Sequence, residues 1–160
     1  MTSLLGVLVK FMGGLFAYTG DINTMFYQVW VPEHQRDYIR FFWWENSFDK
    51  EPKEWRMAVH LLGACSSPSI ANFALKQTLS DFGNGFSEGA WDTVANDFYV
   101  DDCLRAEDRE DALLVNLLEV KELCKKGGFT LTKFSSPCVE VMSPIPREWY
   151  GRGTSRLIDG

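Results

Sequence analysis

The chain has 160 residues, enough for one domain that buries roughly 70% of its unfolded surface. Hydrophobic residues make up 46%, with six Trp and twelve Phe, which excludes an intrinsically disordered segment. The net charge of −6 argues against a self-contained nucleic-acid binder, whose phosphate-tracking surface is basic.

The opening run, MTSLLGVLVKFMGGLFAY, is apolar but is interrupted by Lys10 and by Gly13-Gly14. It is too short to cross a bilayer and lacks the basic start of a signal peptide, so no membrane partner is expected. Residues 3–12 read as the end of an amphipathic helix. LFAYTGDI reads as a strand ending at Asp21, and NTMFYQVWV as a turn leading into extended chain. An apolar strand is predicted at 39–44 and a polar hairpin loop in ENSFDKEPKE, with EWRMAVHLL as the returning strand. Ser67 has the character of an N-cap, with Pro68 at the first position of the helix PSIANFALKQTLSDF. GNGFSEG reads as the loop after it. TVANDFYV and DDCLR form two short extended runs around an acidic pivot, the pattern of a tight hairpin. A helix over about 107–126 has acidic residues at its start and Lys121, Lys125 and Lys126 near its end, with Leu113, Leu117, Val120 and Cys124 as its inner stripe. FTLTKF is a further strand, and 135–160, rich in Pro, Gly and Ser, reads as poorly anchored. The order of elements predicts an α+β fold with helices on one face of an antiparallel sheet. Cys65, Cys103, Cys124 and Cys138 form no CxxC pair and read as reduced thiols rather than zinc ligands, which places the protein inside the cell, in the cytoplasm.

The chemistry lies in DFYVDDCL. Asp101 and Asp102 are adjacent carboxylates at a hairpin tip after an apolar run. Their repulsion is costly near an interior unless a cation offsets it. Hard oxygen ligands on a rigid tip suit Mg²⁺, which takes one or two protein carboxylates together with substrate phosphates. Asp21, at the end of a strand, is the candidate third carboxylate. A solvated acidic turn is the plain alternative for the pair, and a helix N-cap for Asp21.

Four segments in order resemble the reverse transcriptase of BEL/Pao-class LTR retrotransposons. GDINTMFYQVWVPEHQRDYIRFFWW is similar to the first catalytic motif of that class. WRMAVHLLGACSSPSIANFAL is similar to the next, FYVDDCL to the Tyr-x-Asp-Asp box, and CKKGGFTLTKFSS to the Gly-Gly-Phe and Lys segment after it. The resemblance implies a polymerase palm over residues 1–149, followed by an unstructured tail, 150–160. It implies an RNA-directed DNA polymerase that transfers a nucleotide from a dNTP to a primer 3′-hydroxyl on an RNA or DNA template. Asp21 and Asp101 would be the main ligands of two Mg²⁺ ions, supported by Asp102 and the Ile22 carbonyl. Phe26 would stand where a ribose 2′-hydroxyl would go. Tyr99 and Val100 would contact the primer. Gly63, Ser66, Ser67 and Pro68 would shape the nucleotide pocket, and Lys133 is a candidate general acid. Phe26 as a core residue, and a solvated Lys133, are the structural alternatives. His60 is expected to be packed or hydrogen-bonded, and Arg36 and Arg40 to form structural ion pairs.

Leu62 departs from the pattern of retroviral relatives, which carry a Gln there; apolar residues are normal for the BEL/Pao class. The fingers are expected to be incomplete and the thumb absent, so the isolated chain is expected to have little or no activity. A non-catalytic relic or co-opted interaction module is the alternative. An unrelated two-metal nuclease fits Asp-Asp but not the context of Phe26 and SSP.

Overall fold

The structure, a computed structural model, describes residues 3–152. Helix α1 (Leu4–Phe11) precedes strand β1 (Phe16–Ile22). Two 3-10 turns, Met25–Gln28 and Glu33–Tyr38, lead to a hairpin of β2 (Arg40–Trp43) and β3 (Lys53–Arg56). Helices α2 (Ser67–Phe82) and α3 (Glu88–Asn96) follow, then strands β4 (Phe98–Tyr99) and β5 (Asp102–Glu107). Helix α4 (Glu110–Lys126), strand β6 (Leu131–Ser135), the single turn α5 (Val139–Met142) and a third 3-10 turn, Arg147–Trp149, complete the order of the described residues.

The main sheet is antiparallel with order β4-β5-β1-β6, and β2 and β3 form a separate two-stranded sheet. Side chains alternate between the faces of a strand. Tyr18, Gly20, Ile22 and Cys103 therefore share one face, buried in a core with Leu75 and Leu79 of α2, Val94 of α3, and Leu113, Leu117 and Val120 of α4. Gly20 has a steric role: a Cβ there would lie 3.0 Å from the Phe134 ring, which is itself buried and packs edge-on against Tyr18 with centroids 6.0 Å apart. On the other face Thr19, Asp21 and Asp102 keep contact with solvent. Helix α4 forms as its sequence dictates, with Glu110 and Asp111 in the first turn, Lys125 and Lys126 in the last, and its apolar stripe buried.

Several expectations are corrected. The stretch 88–96, read as loop and strand, is helix α3. Ser87 caps it by accepting from the Ala90 amide at 3.1 Å, and Ala90, Thr93 and Val94 bury one face at helical spacing. The turn read after Asp21 is a 3-10 turn followed by extended chain at Val29, but its N-cap position is Thr24, so Asp21 caps nothing there. The returning strand stops at Arg56; Val59 makes one bridge to Trp30. Helix α4 starts at Glu110 because Glu107 still pairs in β5. Ser66, not Ser67, is at the N-cap of α2, and its side chain makes no capping bond. Ser67 is buried and its hydroxyl has no partner among the described residues.

The segment after β6 is anchored. Ser136 Oγ donates to the Ala17 carbonyl at 2.6 Å, and Val141, Met142 and Ile145 join the core. Tyr150, assigned by sequence to the tail, donates its hydroxyl to the Met142 carbonyl at 2.6 Å. The Gly151 amide donates to Phe134. Residues 153–160 of that tail lie outside the described residues. All four cysteines are free. Among the described residues no helix is long and apolar enough to cross a membrane.

Candidate active site

Antiparallel pairing of β1 with β5 sets Gly20 against Cys103 and Asp21 directly opposite Asp102. Paired residues share a face, so these two carboxylates leave the sheet on the same side. The Ile22 amide donates to the Asp101 carbonyl at 2.8 Å. Three aspartates separated by up to 81 positions in sequence thus meet at one end of the sheet. Asp101 lies in the two-residue connection between β4 and β5, after the Tyr99–Asp102 pair. Its neighbour Val100 has φ +57°, a left-handed conformation that a β-branched residue rarely adopts. Ile22 buries its side chain, while Tyr99 and Val100 are half-exposed beside the carboxylates.

Burial raises the pKa of Asp102, and the charges of Asp101 and Asp21 add to the rise; Lys133 works against it. Lys133 approaches because β6 carries a bulge. Between the Thr19–Ser135 and Asp21–Thr132 pairs, one residue of β1, Gly20, is matched by two of β6, Lys133 and Phe134. Lys133 has φ +54° there, and its Nζ lies 2.8 Å from Asp21 Oδ1.

The other predicted positions lie outside β1, β5 and β6. Phe26 is half-buried in the first 3-10 turn and packs on the core. Gly63 is exposed at φ +92° with open space around it. Ser66 and Ser67 line a cleft of about 190 Å³ with Gln35, Tyr38 and His60 at the start of α2, and Pro68 follows them in the helix. His60 also donates its amide to Val29. Arg40 pairs with Asp37 and Glu54 as expected. Arg36 instead donates to the Val31 carbonyl at 2.9 Å and lies over the Trp30 ring.

Two supports of the site were not read from the sequence. Asp97, almost fully buried, accepts from Lys10 Nζ and from an Arg105 guanidinium nitrogen, each at 2.7 Å. Its carbonyl takes the Leu104 amide, so this ion cluster fixes the base of the hairpin that carries Asp101. Behind β1, Tyr18 donates its hydroxyl to Asn116 at 2.9 Å, and Asn116 donates to Thr93 at 3.1 Å. An acidic residue just before FY in an otherwise apolar run was the one signal for Asp97. A separate group, Glu110, Cys138 and Glu140, brings ligand-type atoms together at α4 and α5, but the Cys138 thiol donates to Glu110 and is held protonated by burial and that bond.

No protein-family model and no curated protein matches this sequence. Among solved structures, the foamy viral protease-reverse transcriptase in complex with an RNA/DNA hybrid matches with a TM-score of 0.59 and 18% identity. The match covers 81% of this chain and 15% of that one, so the chain spans about 15% of that protein's length. At this identity the likeness is one of fold: the chain has a reverse-transcriptase-like α+β architecture.

Proposed function

We propose that the chain is the palm of a BEL/Pao-class reverse transcriptase, an RNA-directed DNA polymerase. The observation that carries the reading is the register that sets Asp21 against Asp102, with Asp101 in the adjoining turn, on a reverse-transcriptase-like fold. Three carboxylates at one strand end are a hard oxygen donor set of the kind Mg²⁺ takes. The mutual repulsion felt at Asp102 is what a divalent cation relieves, so the residues fit the metal. Bound there, Mg²⁺ would activate the primer 3′-hydroxyl and neutralise the triphosphate and the departing pyrophosphate.

The chain's own residues do the rest. Asp21 and Asp101 supply the principal ligands, and Asp102 and the Ile22 carbonyl support them. Phe26 excludes a 2′-hydroxyl and so selects a dNTP. Tyr99 and Val100 support the primer end, and Gly63, Ser66, Ser67 and Pro68 shape the nucleotide pocket and the path of an RNA or DNA template. Lys133 supplies a proton to pyrophosphate. One observation favours the alternative of a non-catalytic interaction module. Every residue of β2 and β3 is exposed, aromatic side chains included.

Thermal melts of the chain and of Asp101→Asn, with and without Mg²⁺, test the reading. At a free Mg²⁺ concentration ten times Kd, linkage stabilises the fold by about 1.4 kcal/mol. That raises the Tm of a chain this size by roughly 3–6 °C. The shift should vanish in Asp101→Asn. No shift in either protein, or equal shifts in both, refutes the assembled metal site.

A further inference from the structure

In a regular β6, Leu131 would face the core, Thr132 the open face, Lys133 the core and Phe134 the open face. The observed pairing is different. Leu131 opposes Ile22 and is buried, Thr132 opposes Asp21, and Ser135 opposes Thr19 on the open face. Phe134 is buried. One extra residue has been inserted, and it is Lys133. The bulge sends Phe134 into the core and leaves an ammonium on the same side as the aspartates, at the cost of a left-handed backbone at a residue other than glycine. Lys133 then ion-pairs with Asp21 at 2.8 Å, with its side chain still half-exposed.

We propose that Lys133 is a built-in counter-cation that holds Asp21 in the metal-free chain and yields it when a divalent ion binds. This rests on the two-metal reading above and adds a regulatory step to it. Lys133 Nζ lies 2.8 Å from Asp21 Oδ1, and a metal held by the same carboxylate would sit within a few ångströms of that ammonium. Two cations that close together repel, so one must leave. Leaving is easy for Lys133. Its stem is four flexible carbons, and a half-exposed ion pair is weak enough to exchange for water. The site therefore swaps one positive charge for another, and its three carboxylates are never left wholly uncompensated. Lys133 keeps them gathered before the metal arrives and lowers metal affinity by competing for Asp21.

The test is Mn²⁺ binding to the 160-residue chain, followed by the electron paramagnetic resonance signal of free Mn²⁺, for wild type, Lys133→Met, Lys133→Gln and Asp101→Asn. Removing the competing charge should tighten Mn²⁺ binding by roughly 3- to 30-fold in Lys133→Met. The Tm of that variant in the absence of metal should be equal or lower. Lys133→Gln, which keeps a polar side chain, should show the same gain and serves if the Met variant does not fold. Equal or weaker binding in both Lys133 variants, with Asp101→Asn still losing Mn²⁺, overturns the counter-cation and leaves the metal site standing. Absence of binding in wild type and in both Lys133 variants overturns the metal reading and the counter-cation together.

Discussion

Asp97→Asn tests whether the hairpin bearing Asp101 is held from behind. The substitution keeps shape and removes one charge. The Asp97 side chain is only 1% exposed and meets Lys10 and Arg105 at 2.7 Å each. Removing one partner of a buried ion pair costs about 3–5 kcal/mol, because the other charge is left uncompensated. Here the loss is softened. Arg105 keeps Asp92 at 2.9 Å and Glu107 at 2.5 Å, and the Lys10 side chain is 44% exposed and can turn to water. A loss of about 2–3 kcal/mol is therefore expected, equivalent to a Tm roughly 4–12 °C lower. Urea unfolding followed by far-ultraviolet circular dichroism measures it, with an unchanged slope showing that the same surface is exposed. Lys10→Met should cost less than about 1 kcal/mol, as an exposed partner does. A loss under about 1 kcal/mol for Asp97→Asn would mean that the cluster behaves like a surface ion pair and does not anchor the hairpin.

Val100→Asn should stabilise the chain by about 0.5–1 kcal/mol, because Asn tolerates the left-handed region that Val100 occupies at some cost; a lower midpoint in urea would place the turn's conformation outside the sources of strain. Acid should destabilise the fold through groups whose folded pKa is depressed. Asp92 is held at about 2 against the opposing effect of burial by bonds from Lys10, Asn96 and Arg105, and bonds from Arg56 and Arg109 lower Asp37 and Asp111. Their contribution is complete above the ordinary carboxylate value near 4 and is lost as pH falls toward 2. A Tm that stays flat from pH 5 to pH 2 would refute these pairings.

The elements with strong periodicity were legible in the sequence. Strand β1, helix α2 and helix α4 announced themselves by their apolar spacing, and α4 also by the charges at its ends. Helix α3 was not legible, because its nine residues place the β-branched pair Thr93-Val94 next to the genuine strand residues Phe98 and Tyr99. The segment after β6 carried a readable helical spacing in Cys138, Val141, Met142 and Ile145, but Pro137, Pro144 and Pro146 concealed it. For the site, each aspartate was visible as a residue, and motif order alone brought Asp21 to the pair. The bulge at Lys133 could not be foreseen, since an inserted residue has no composition of its own. It appears only when the registers of β1 and β6 are compared. The ion cluster around Asp97 was hidden for a similar reason: its members come from α1, α3 and β5, far apart along the chain.

The exposed β2–β3 hairpin has a consequence for how folding of this chain can be watched. Trp43, Trp44 and Trp55 lie in or beside it, Trp44 half-buried and the other two exposed, and Trp30 and Trp91 are exposed elsewhere, so five of the six tryptophans sit outside the core. The sixth, Trp149, lies under the Lys121 ammonium at 4.1 Å. An isolated two-stranded ribbon is marginally stable in water, so the arm can loosen while the main sheet is intact. Tryptophan emission would then report an early transition in the arm, whereas the circular dichroism of α2 and α4 would report the core. Two midpoints from one sample would mark local opening of the arm, and only the second would belong to the fold that carries the aspartates.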